Sequence, residues 1–288
     1  MINEETSAGV RRDKRRLPTL MLLCLLVAAV GLGFAPAANA APNKGGGKTD
    51  SGGGTDLLGN DVSWPQCNKA LPENPAFAIV GVTGGLANNT NPCLAEQLAW
   101  AEEETLTDAT GQPDVALYVN TANAGHTGSW WPDSNEYSGV VVDNPYGDCS
   151  GAEDAACAYM YGWAKAYDDA NIRGISNPED YLWWLDVETE NSWSTDKVAN
   201  AADLEGMTDY FESIGADVGI YSTNYQWGQI VGQVSADSSL AGLPSWLAGA
   251  RTANGAKNNC SSPPLTPGGY VSVTQFVSRG FDYDYSCV

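Results

Sequence analysis

The chain has a single histidine, His126, and beyond residue 40 no apolar run long enough to cross a bilayer. It has no Cys-x-x-Cys pair and no Gly-x-Ser-x-Gly segment. A Ser-His-Asp or Cys-His mechanism therefore lacks its base and its nucleophile elbow, and His126 reads as an ordinary loop residue. A transition-metal site lacks ligands, so neither metal nor cofactor is expected. Basic residues are scarce too. Of 14 Lys+Arg and 35 Asp+Glu, five and three precede residue 41, which leaves nine against 32 and a formal net charge of −23 for the remainder. Such a surface repels nucleic acid and anionic lipid, and neither is expected as a partner.

What is present begins with Arg11, Arg12, Lys14, Arg15 and Arg16 ahead of an apolar run from Leu17 to Phe34, then Ala38-Asn-Ala40. This is the pattern of a secretory signal peptide over residues 1–40, cleaved after Ala40, by either the general or the twin-arginine route. Residues 41–56 are glycine-rich and polar, a flexible tether. Residues 57–288 then form one domain of a length that suits a barrel or a doubly wound α/β protein. An exported, extracellular or wall-associated monomer is expected, with no stable membrane insertion after cleavage. Cys24 leaves with the leader, and the six that remain, Cys67, Cys93, Cys149, Cys157, Cys260 and Cys287, read as three disulfides. Among the many connectivities, nearest-neighbour pairing is taken.

Segments at residues 60–66, a short strand stopped by a proline, 77–83, 114–121, 181–187, 217–223, 244–249 and 271–276 read as seven strands, with continuous apolar runs at 77–83, 114–121 and 181–187. Helical spacing appears over about 91–105, 155–171 and 195–214, and fades in the last third. Strands alternating with helices argue for a parallel β/α barrel. Between the third strand and its helix lies a long stretch rich in glycine, tryptophan and asparagine, residues 121–156, of a length that is usually functional.

The fourth strand, Tyr181-Leu-Trp-Trp-Leu-Asp-Val-Glu188, ends in carboxylates. Asp186 and Glu188 are two residues apart, so on a strand they share a face, roughly 7 Å apart at the backbone. Burial and mutual repulsion push such pKa values up and apart, which lets one carboxyl keep its proton near neutral pH. Chemistry in a barrel sits where strands end, a rule that gathers Asp186, Glu188, Tyr118, Asn120, Tyr221, Trp246 and Gln275 at one mouth, with Trp64 just beyond the first strand. Ten tryptophans and 13 tyrosines exceed what a core needs, and aromatic rings stack on sugar faces. A carboxylate pair in an aromatic groove reads as glycoside hydrolysis.

Asp61-Val-Ser, Leu185-Asp-Val-Glu188, Ile220-Tyr-Ser-Thr223, Trp246-Leu-Ala and Thr274-Gln-Phe276 followed by Asp282-Tyr-Asp284 resemble, in this order, the landmarks of glycoside hydrolase family 25 lysozymes. The chain is also similar to a group of secreted actinobacterial proteins of that superfamily. The resemblance implies a modified TIM-like barrel with fewer than eight helices that cleaves the β-1,4 link between N-acetylmuramic acid and N-acetylglucosamine in peptidoglycan. It makes Glu188 the general acid and Asp186 the carboxylate that steadies the acetamido group or the developing positive charge, with Asp61 and Asp282 in support. Substrate assistance and an inverting water both stay open. The chain departs from the family at Gly81-Val-Thr-Gly-Gly85, at Tyr118-Val-Asn120 and at Thr274, where the family commonly has a basic residue before Thr-Glu-Gly, Tyr-His-Phe and tryptophan. These changes touch the cleft and spare the acids, so a non-catalytic glycan-binding barrel is the alternative.

Overall fold

The computed structural model describes residues 57–288; the leader, 1–40, and the tether, 41–56, lie outside the described residues. Seven strands run parallel: β1 (Leu58–Val62), β2 (Ala78–Gly81), β3 (Val115–Asn120), β6 (Leu182–Asp186), β7 (Asp217–Ser222), β8 (Ser245–Ala250) and β9 (Val271–Ser278). These match the seven expected segments, except that the first runs from Leu58 to Val62, with Trp64–Gln66 in a short helical turn beyond it. An eighth, β10 (Phe281–Ser286), is antiparallel to both β9 and β1 and closes the barrel in the order β1-β10-β9-β8-β7-β6-β3-β2. The all-parallel expectation is corrected here, and the reason is local. Arg279 and Gly280 both have positive φ, 53° and 82°, the backbone of a two-residue hairpin turn that reverses the chain at once.

Helices α1 (Leu94–Glu104), α2 (Ala155–Asn171) and α3 (Lys197–Ser213) follow β2, β3 and β6 as the spacing requires. Asp154 and Asp196 cap the last two, accepting from the N–H groups of Cys157 at 3.0 Å and Val198 at 2.9 Å. The last third keeps two short helices where none is expected, α4 (Asn224–Ile230) and α5 (Ala253–Asn259), each opened by a threonine cap, Thr223 and Thr252. Residues 121–156 form an insertion that contains a small hairpin, β4 (Glu136–Tyr137) and β5 (Val140–Val141).

Strand alternation sends the two tryptophans of β6 to opposite sides. Trp183 faces outward and stacks on Phe211 of α3 at 4.4 Å, within the large core between sheet and helices. Trp184 faces inward and meets Trp246, Phe77, Ile79 and Val273 inside the barrel. That interior is narrow. A Cβ on Gly219 would lie 2.3 Å from the Trp184 ring, so glycine on β7 makes the room that tryptophan on β6 fills.

The disulfides pair Cys67 with Cys93, Cys149 with Cys157 and Cys260 with Cys287, at Cα separations of 5.7, 4.6 and 5.5 Å. The second ties the end of the insertion to the first turn of α2, and the third ties α5 to the residue after β10. Replacing Cys260 and Cys287 by serine is expected to cost about 2–4 kcal/mol, read as a lower urea midpoint. Peptide mapping that found these thiols free would contradict the assignment.

Candidate active site

All ten residues expected at the mouth line one cavity of about 380 Å³: Asp61, Trp64, Tyr118, Asn120, Asp186, Glu188, Tyr221, Trp246, Gln275 and Asp282. They arrive on seven strands or the loops just after them: Asp61 and Trp64 with β1, Tyr118 and Asn120 on β3, Asp186 and Glu188 with β6, and Tyr221, Trp246, Gln275 and Asp282 on β7, β8, β9 and β10. Position 120 points into the barrel because 118 does, and Asp186 lies beside Asn120 because β3 and β6 are in register at that pair. In the same way Asp61 is the direct partner of Asp282 across β1 and β10. His126 stands apart, in a short helical turn of the insertion (Gly125–Thr127), where its N–H donates to Glu153.

Asp186 is held from several sides. Its Oδ2 accepts from the Asn120 side-chain amide, and the amide is itself aimed by Thr83, whose hydroxyl accepts the Asn120 N–H at 2.8 Å and donates to its Oδ1 at 3.0 Å. The backbone of Asp186, Val187 and Glu188 is pinned by Thr121 Oγ1 (2.6 Å), Ser222 Oγ (2.7 Å) and Trp193 Nε1 (2.7 Å), each donating to a carbonyl. Across the mouth the Tyr221 hydroxyl donates to Gln275 Oε1 at 2.9 Å, and Gln275 Nε2 donates to Asp61 Oδ2 at 2.9 Å.

The electrostatics follow from many acids and few cations. Burial first, then the charge of Glu188, holds Asp186 well above the ordinary carboxylate range, against the Asn120 donor, which favours its charged form. Burial, then Glu190 and Asp282, raises Glu188. Burial raises Asp282 as well, with Lys69 the opposing charge. Burial and Asp282 push Asp61 up to about 8. Such a cluster favours the protonated forms of its carboxyls, Asp61 most plainly, and Glu188, only partly buried, faces the cavity.

Two participants escaped the sequence reading. Thr83 sits in the segment where the chain departs from the family, which drew attention to what is missing there rather than to the hydroxyl. Asp284 is fully buried beneath the cavity, accepts from Trp246 Nε1 at 2.9 Å and shares a hydrogen bond with Asp61. Its signal was the two-residue spacing from Asp282, the same spacing that marked Asp186 and Glu188.

These buried acids make stability depend on pH. Asp61 has an ordinary value of 3.8 and a folded value of about 8, so between them the native state holds a proton that the unfolded chain has lost. Stability from this group therefore falls as pH rises through that window, and Asp186 and Asp284, shifted in the same direction, steepen the fall. A lower denaturation midpoint at about pH 8 than at about pH 5 is expected, with a flatter slope in Asp284→Asn. Surface repulsion alone would leave the slope of that variant unchanged.

Fold and mouth together define a modified β/α barrel with an acidic, aromatic-walled cleft at its strand ends. The family model described as Lys-1, lysozyme-like protein 1, matches residues 170–260, the segment that carries Asp186, Glu188, Tyr221 and Trp246. A Dictyostelium discoideum protein named "Probable GH family 25 lysozyme 4" is 28% identical over 142 residues, 48% of this chain and 55% of that one. "Lysozyme-like protein 5" of Caenorhabditis elegans is 45% identical over 78 residues, 27% of this chain and 35% of that one. The chain thus spans about half or less of the length of these relatives. The crystal structure of a bacterial lysozyme from Streptomyces coelicolor superposes with a TM-score of 0.50 at 16% identity, over 81% of this chain and 93% of that one, a likeness of fold alone. Over these segments the chain is similar to lysozyme-like proteins, one of them named for glycoside hydrolase family 25, in line with the resemblance of its ordered landmarks.

Proposed function

We propose that the protein is a secreted glycoside hydrolase of muramidase type that cleaves β-1,4 links in peptidoglycan or a related bacterial polysaccharide. The observation that carries this reading is the placement of Glu188, raised by burial and neighbouring charge, beside the amide-held Asp186 in a single aromatic-lined cavity. Glu188 gives its proton to the leaving glycosidic oxygen. Asp186 steadies the acetamido group or the positive charge that develops at the sugar ring. Burial favours neutral Asp186, so the form that acts is the one in which Asp186 has released its proton to solvent before the step; as a carboxylate it then stabilises the cationic centre most in the transition state. Asp61 and Asp282 complete the acidic wall, Tyr118, Tyr221, Trp246 and Trp64 offer ring faces, and Asn120 and Gln275 orient the acids. The leader, the tether and the three disulfides fit export, with residues 1–40 removed and 41–56 as the spacer.

The test is release of reducing ends from purified peptidoglycan. Release that follows the ionisation of Glu188 supports the hydrolase. The departures at Gly81-Val-Thr-Gly-Gly85 and Tyr118-Val-Asn120 favour one rival, a glycan-binding barrel without turnover; binding without release would select it.

A further inference from the structure

A second cavity, of about 270 Å³, lies beside the acidic one, between the loops that follow β2, β3 and β6 and the insertion 121–156. Two of its walls continue directly from the first. Asn120 lines the acidic cavity and Ala122 the second; Glu188 lines the first and Glu190 the second. Two residues of chain span at most about 7 Å, so the cavities are neighbours along one groove. The ridge between them is apolar. Trp64 is 49% exposed and lies against Gly85, where an added Cβ would sit 2.7 Å from its Nε1, and the next residue, Leu86, is 56% exposed and faces the second cavity.

The far wall is braced. Asn88 of the β2 loop donates to Ser129 Oγ of the insertion at 3.2 Å. Tyr161 of α2, which lines the cavity, stacks on Trp131 at 5.3 Å and Trp130 at 6.0 Å, and Trp131 Nε1 donates to the Ala152 carbonyl at 3.0 Å. Among the residues that line this cavity Glu190 is the one charged group, and the others are small, hydroxyl, amide or apolar. An anionic ligand meets repulsion and finds no cation. A neutral ligand rich in hydroxyls and amides finds donors, acceptors and an apolar edge.

We propose that this second cavity is a saccharide subsite, which holds a neutral N-acetylhexosamine unit of the glycan chain further along the strand than the link cut at Glu188. The proposal rests on the glycosidase reading of the acidic cavity and adds a length requirement to it: long strands are held at both cavities, short ones at the first alone. The insertion supplies one wall, so the preference is built by the segment that interrupts the path from β3 to α2.

The experiment uses β-1,4-linked N-acetylglucosamine oligomers of two to six units, stem-free glycan strands and stem-bearing muropeptides, with wild type, Ser129→Trp and Thr127→Trp. The two variants fill the cavity from different positions, so misfolding of one leaves the other informative, and circular dichroism identifies which is folded. Calorimetric affinity in wild type should rise about tenfold between the shortest and longest oligomers, and the rise should vanish in the variants. Variants that match wild type at every length overturn the proposal, and so does a difference seen only with stem-bearing ligands, which would make the occupant a peptide. Calorimetry needs no turnover, so the subsite is tested even if the protein does not hydrolyse glycan. Reducing-end release without length dependence removes the subsite and leaves the hydrolase.

Discussion

Glu188→Gln is expected to lower turnover on peptidoglycan by about 10²-fold or more with little change in affinity for the glycan. Glutamine keeps the size and the hydrogen bonding of the side chain but has no proton to give to the leaving oxygen. The loss therefore falls on the transition state. Asp186→Asn removes a charge rather than a proton and should also slow turnover, through weaker stabilisation of the cationic centre. The two variants separate on leaving groups. A substrate whose leaving group departs without protonation should rescue Glu188→Gln more than Asp186→Asn, measured as the ratio of kcat values on activated and natural glycosides. Equal binding by wild type and both variants, with hydrolysis by none, would sink the catalytic assignment.

The largest stability effect is expected at the crossing of α2 and α3. Gly162 on α2 and Gly206 on α3 let the two helices touch backbone to backbone. A Cβ at 162 would lie 1.8 Å from the Asp203 carbonyl oxygen, and one at 206 would lie 2.0 Å from that of Tyr159. Alanine favours an isolated helix over glycine by about 1 kcal/mol, whereas forcing extra volume into a packed interface costs about 1–3 kcal/mol and more when backbone must move. Overlap wins, because no side chain can swing aside. Gly162→Ala should lose about 3 kcal/mol net by urea denaturation. The double variant with Gly206→Ala should lose less than the sum, since one separation of the helices relieves both clashes. A single variant as stable as wild type would show that this contact is soft.

How much of this was legible follows from what each residue does for its own strand. Strands β2, β3 and β6 carry continuous apolar runs, because a barrel strand under helices is buried on both faces, and such runs are easily seen. The eighth, Phe281-Asp-Tyr-Asp-Tyr-Ser286, turns its polar residues toward the barrel interior, with Asp284 fully buried, so its pattern resembles a solvated loop. Asp186 and Glu188 were legible because an apolar strand stopped on them. Thr83 was not, because its part is to aim an amide 37 positions away, a contact that no local pattern encodes. Helices α4 and α5 are a mere seven residues each and were hidden by their brevity. The disulfides follow nearest-neighbour order although only Cys149–Cys157 closes a short loop; Cys67–Cys93 spans β2, and Cys260–Cys287 spans β9 and β10.

The antiparallel closure has a consequence for biosynthesis. Asp61 stands near the beginning of the described domain and Asp282 in its final strand, and the two are direct partners across β1 and β10. A ribosome that has reached residue 280 has made every parallel strand and both long helices, α2 and α3, and still no complete acidic wall. Until β10 docks, β1 and β9 each present an unpaired edge, the feature by which unfinished sheets are drawn into aggregates or degraded. Synthesis of β10, closure of the barrel and assembly of the acidic cleft are therefore one event, and a product interrupted before that strand carries neither a finished cleft nor a protected edge.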